Sequence, residues 1–169
     1  MKGITTAAPS IATIAEKARI TQIFEYGFFA IVILLAVWTN AWSADGAGTV
    51  KTLTGSATVI RSSAALPIAT GQRVFSGDRI VSGQDGYVGI MLYDDTRLTL
   101  GPGSELLIRE FEFNANSYIG NLTVSFLKGT ARVVTGLIGK NSPENMRFNT
   151  PTATIGIRGT EFIVDVSTE

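Results

Sequence analysis

The chain has 169 residues, room for one domain of ordinary size plus a leader, and its fourteen Lys and Arg cancel its fourteen Asp and Glu. Without a basic stripe, phosphate neutralisation has no visible footprint, so no nucleic-acid partner is expected. Cysteine and histidine are both absent, which removes disulfides, thiolate nucleophiles, imidazole bases and the commonest metal ligands together.

In chain order, residues 1–25 form a short segment, read as a cytoplasmic stretch or the head region of a signal peptide. Residues 26–43 follow as an uncharged, strongly apolar run, Tyr26 to Trp42, expected to be one N-terminal hydrophobic helix. Its most apolar part, Phe28 to Trp38, has the length of a signal-peptide core, and Ala41 and Ser43 suit cleavage before Ala44. The long stretch before the run keeps an uncleaved signal anchor as the alternative. With Lys17 and Arg19 at its start, either reading exports residues 44–169. The product is periplasmic or secreted if cut, and anchored in the inner membrane if not.

From Thr49 onward no helical period stands out, while period-two alternation recurs between clusters of Gly, Asp, Asn, Ser and Pro. The class is therefore all-β, with many short, mostly antiparallel strands in an elongated sandwich or a solenoid-like wrap, since alternation is common to both. Val88, Ile90 and Leu92 alternate inward, Leu98 and Leu100 follow Asp94-Asp95, and Val124 and Phe126 precede Lys128-Gly129, after which Ala131 and Val133 resume. Apolar parity pairs Leu92 with Leu98 across a loop Asp94-Asp95-Thr96. Thr96 suits a left-handed position poorly, so that register stays open.

Near the C-terminus the parity changes. Ile155 and Ile157 share one phase, and Phe162, Val164 and Val166 share the other. A flat strand would aim the two sets at opposite faces, so a bulge or tight bend is expected at Gly159, within Arg158-Gly159-Thr160. Pro151 after Thr150 should mark the strand's start or an edge. Arg158 is expected to pair with a carboxylate such as Glu161 and stabilise the bend, the alternative being that it faces a partner or an anionic ligand.

The block Thr150 to Phe162, TPTATIGIRGTEF, resembles the closing motif of the FecR domain family. Gly77-Asp78-Arg79-Ile80 is similar to that family's glycine-aspartate turn entering a strand, and Leu127-Lys128-Gly129 to its leucine-x-glycine step. Asp94-Asp95-Thr96-Arg97-Leu98 resembles its aspartate-glycine turn, with Asp95 where glycine is usual. The resemblance covers about Gly55 to Val166 and implies an extracytoplasmic β domain used in transmembrane signalling through protein contacts. Residues 1–25 are shorter than the anti-sigma segment of the regulator type, and Val166 stands close to the last residue, where those regulators continue. Both signalling ends are therefore expected to be missing.

No enzyme, cofactor or metal is expected. Glu110 and Glu112 share a strand face at a separation close to that of glycosidase carboxylates, but inward Phe111 and Phe113 account for the pattern as a solvated face. A carbohydrate-active enzyme is the remotest alternative. Asp94 and Asp95, with Asp78 and Asp85, lack the spacing of a calcium loop, and turn roles are expected for Gly77, Asp78, Asp94, Asp95 and Gly129. The functional expectation is a sensory or regulatory interaction module of the cell envelope, with an envelope or secreted protein partner and membrane contact only through the N-terminal segment. A structural surface component without a signalling role is the alternative.

Overall fold

The structure is a computed structural model and describes residues 46–157 and 161–167. The hydrophobic helix expected at 26–43 and the bend expected at Gly159 lie outside the described residues. Among the described residues, no helix is long and apolar enough to cross a membrane.

Among the described residues twelve strands make one sheet, mostly antiparallel, curled into a half-barrel around its core. They are β1 (Gly46–Thr54), β2 (Ala57–Arg61), β3 (Ala64–Pro67), β4 (Arg73–Phe75), β5 (Arg79–Ser82) and β6 (Tyr87–Leu92), then β7 (Arg97–Leu100), β8 (Glu105–Asn114), β9 (Ile119–Val134), β10 (Met146–Asn149), β11 (Thr154–Gly156) and β12 (Glu161–Val166). The all-β reading holds. Its two suggested arrangements give way to a single curled sheet whose halves share one strand.

That strand is β9. Its first part runs between β8, antiparallel, and β10, parallel; its second part runs between β7 and β12, both antiparallel. The buried side chains change phase on the way, from Leu122, Val124 and Phe126 to Ala131 and Val133. Leu127 is the extra residue that causes this, because Leu106 pairs with Phe126 and Glu105 with Lys128. Gly129 then adopts φ +74°, and a β-carbon there would stand 2.5 Å from Ser104 Oγ. The Thr130 amide donates to that same Ser104 hydroxyl at 2.9 Å, and the Ser104 amide donates to buried Ser82 Oγ. The corner is thus held by two serines that satisfy the amides the ladder leaves free.

The β6–β7 register, which the sequence leaves open, keeps the apolar parity but does not pair Leu92 with Leu98. Ile90 faces Leu98, and the loop is Tyr93-Asp94-Asp95. Asp95, at φ +66°, takes the left-handed position that Thr96 would have filled badly. Glycine is the usual residue where the chain must turn this way, which accounts for Asp95 standing in glycine's place.

A short helix, α1 (Leu137–Asn141), follows β9 and leads through a 3-10 turn, Pro143–Asn145, into β10. One turn and a half is too short to write a helical period into the sequence. Its buried Ile138 joins Met146 and Phe148 in the core. Phe148 stacks on Phe126, with ring centroids 6.1 Å apart, and meets the edge of Phe162 at 5.1 Å, so one aromatic contact chain joins β9, β10 and β12.

The β2–β3 hairpin turns on Ser62 and Ser63 at φ +47° and +67°, the two-residue geometry that favours Asn-Gly. Replacing the pair by Asn-Gly is expected to raise the unfolding free energy by about 1 kcal/mol. Denaturant unfolding checks this, and an unchanged or lower midpoint would contradict the strain assigned to the turn.

Candidate functional site

The expected turn residues gather at the ends of strands. Phe75-Ser76-Gly77-Asp78 is a tight turn closed by the Asp78 amide donating to the Phe75 carbonyl at 3.1 Å, with Gly77 at φ +88°. Asp78 shares parity with Ile80 and Ser82 and is fully buried. Arg61 reaches it from β2 in a two-pronged contact, Nε to Oδ1 at 2.7 Å and Nη2 to Oδ2 at 2.6 Å, while the Phe75 amide also donates to Oδ2 at 2.9 Å. The guanidinium lies 4.3 Å from the Phe75 ring centroid. Hydrogen bonding to Asp78 holds Arg61 above its ordinary range; burial opposes this and the Asp78 charge adds to it.

Asp94 is buried as well, in phase with Leu92 and Leu98. Its carboxylate accepts from the Thr96 amide and hydroxyl at 3.0 and 2.7 Å and from the Ile138 amide at 3.4 Å, and its carbonyl accepts from the Leu137 amide. The Thr96 hydroxyl accepts in turn from the Gly136 amide at 2.9 Å. Asp94 therefore ties the β6–β7 turn to the start of α1, satisfying amides a helix start leaves free.

Asp85 is exposed and accepts from the Ser56 hydroxyl at 2.9 Å, which holds its carboxyl below the usual carboxylate range. Of the four aspartates weighed for an ion, Asp78, Asp85 and Asp94 thus have donors within the protein, and Asp95 is exposed in its turn. Among the described residues no cluster of acidic groups could hold a metal.

The C-terminal motif divides between two strands. Thr150 to Ala153 form the turn of the β10–β11 hairpin, where the Ala153 amide donates to the Thr150 hydroxyl at 3.0 Å. Pro151 is exposed in this turn, three residues before β11, so it sits neither at a strand's start nor on an edge strand. Ile155 faces Phe148 across the hairpin, and Ile157, half-buried, follows β11. Phe162 and Val164 belong to β12, which pairs instead with the far part of β9. The two phases thus lie on separate strands with different pairing partners. Arg158, Gly159 and Thr160 lie outside the described residues. Glu161 pairs with Arg132, whose Nε donates to it at 2.7 Å.

Glu110 and Glu112 are exposed, with Phe111 buried between them and Phe113 half-buried. Arg109 is an extra residue in β8 and aims at Ser125, whose hydroxyl accepts from its Nε. Glu112 accepts from Asn121 Nδ2 at 3.3 Å, and Glu110 borders a shallow polar hollow with Asn121, Thr123, Asn145 and Arg147. The Arg61 side chain was missed by sequence reasoning. The available signal was the phase of Asp78 with Ile80, which marks a carboxylate that must be buried and so must find a cation.

Among the described residues the large apolar side chains left in water are Leu66, Tyr87, Tyr93, Tyr118, Ile119 and Ile163, with Ile163 the most exposed at 72%. A family model described as FecR protein matches residues 78–169, more than half of the chain and the whole run from β5 to β12. No curated protein and no solved structure gives a significant match. Arg61 lies outside the matched residues, yet its partner Asp78 is the first of them.

Proposed function

The chain belongs to the FecR family, and on that premise we propose that its β domain is an extracytoplasmic protein-interaction module of the bacterial cell envelope with a sensory or regulatory role. The observation that carries this reading is the family match over strands β5 to β12. The chemistry of the site supports it. Asp78 and Asp94, the buried carboxylates, are committed to Arg61 and to backbone amides, and buried side-chain polar atoms among the described residues all have partners. Groups so committed set geometry and have little capacity left for a substrate. What the domain presents is surface.

The domain reaches the envelope through the segment 26–43, by cleavage before Ala44 or as an anchor. The role works without catalysis or cofactor, through a protein partner and not a nucleic acid. Deleting the gene is expected to change transcription of a neighbouring operon at least about threefold, with restoration by the wild-type chain. Unchanged transcription under conditions where the protein is abundant in the envelope would contradict the regulatory role and favour a structural surface component.

A further inference from the structure

We propose that β12 is a docking edge, and that its occupant is an extended segment of another protein carrying basic residues on either side of an apolar centre. This deepens the interaction reading above and rests on it. Exposed strand edges template pairing with other chains, and folded proteins protect them with short strands, proline, charged side chains, lysine above all, or a covering element. Three terminal strands here follow that rule. Strands β4 and β11 have three residues each, and β3 has four and ends in Pro67.

Strand β12 does not. It runs for six residues, Glu161 to Val166, with neither proline nor lysine, and among the described residues it pairs with β9 alone. Its charges are the acids Glu161 and Asp165 alone, which repel an acidic strand and attract a basic one. Its flank is also unfinished on both faces. Inward, Val164 is buried but Phe162 and Val166 are only half-buried against the core. Outward, Ile163 is 72% exposed. An added strand would cover apolar surface on both sides while satisfying a row of backbone groups, which is how strand addition binds.

Charge selects the occupant. On the outer face Ile163 stands between Glu161 and Asp165, opposite Arg132, with Val134 and Thr130 opposite the two acids. A second copy paired antiparallel about Ile163 would set Glu161 across from Asp165 at both ends, and like charges directly opposite destabilise a strand pair. Glu161 gives one carboxylate oxygen to Arg132 and keeps half of its side chain in water, and Asp165 is exposed, so a partner with lysine or arginine at those two positions meets both acids and places an apolar residue on Ile163.

The test uses the full-length chain and a capped synthetic peptide in which a lysine stands on either side of three valines, followed by titration calorimetry. The expected result is saturable binding, weakened at least about tenfold when glutamates replace the lysines. Ile163→Lys should weaken it similarly with little change in thermal unfolding, because the side chain it replaces is in water and the new ammonium, although opposite Arg132, stands between Glu161 and Asp165. N-methylation of alternate peptide amides should abolish binding in one of its two phases only, since a single phase faces the edge; this comparison needs no variant of the chain. Absence of binding at millimolar peptide, or equal binding of the lysine and glutamate peptides, would overturn the docking edge and leave the transcription test of the regulatory reading intact. A dimer of the chain that Ile163→Lys dissociates would overturn it in favour of self-pairing.

Discussion

Truncating Phe148 to alanine is expected to lower the unfolding free energy by about 3–5 kcal/mol, the largest effect of any single core substitution considered. The ring is fully buried, stacked on Phe126 and set edge-on to Phe162. Removing it deletes two aromatic contacts and leaves a cavity where β9, β10 and β12 meet. Neighbours cannot collapse into it easily, because Phe126 is fixed by the β8–β9 ladder and Val124 faces Phe148 across the parallel pair. Tyr118→Ala, at an exposed hairpin tip, should change stability by no more than about 0.5 kcal/mol. Denaturant unfolding followed by circular dichroism measures both. Similar costs at the two positions would contradict the aromatic junction.

Replacing Arg61 with methionine is expected to cost about 3 kcal/mol, since it strands the buried Asp78 carboxylate without a cation. Breaking a fully buried pair costs about 3–5 kcal/mol, and the lower end applies because the Arg61 side chain keeps 35% of its surface in water, against 1% for Asp78. Methionine retains an apolar stem over Phe75, which separates loss of charge from loss of packing. Asp78→Asn should cost less, about 1–2 kcal/mol, as the amide oxygen still accepts from the Phe75 amide and Arg61 turns to water. Unfolding of the two variants decides the matter. A larger loss for Asp78→Asn than for Arg61→Met would mean that the turn, and not the ion pair, carries the stability.

Much of this architecture is written in period-two parity. Val88, Ile90 and Leu92 face inward as alternation requires, and the phase of Asp78 with Ile80 marks it as buried. The same parity reading that separates Ile155 from Phe162 applies to β9, where Phe126 and Ala131 fall out of phase. There it marks the corner at Leu127 to Gly129 where one half of the sheet passes into the other. Three features were not legible, each for a physical reason. Helix α1 is too short to show a period. The Arg61–Asp78 pair joins strands whose neighbourhood is set by the sheet, and sequence spacing does not encode it. The parallel pairing of β10 with β9 depends on the crossover through α1, so nothing local announces that Phe148 will meet Phe126. The β6–β7 register follows backbone tolerance, with Asp95 better suited to positive φ than Thr96, because apolar parity fits Ile90 and Leu92 equally well opposite Leu98.

The central claim, that the β domain works outside the cytoplasm, is tested most directly by expressing the full-length chain with a C-terminal tag in a Gram-negative host. Intact mass and fractionation are then combined with external protease on spheroplasts. The account predicts either a soluble periplasmic product lacking the mass of residues 1–43 or a membrane-bound chain whose tag the protease removes. A full-length soluble protein with its tag protected inside the cytoplasm would contradict it.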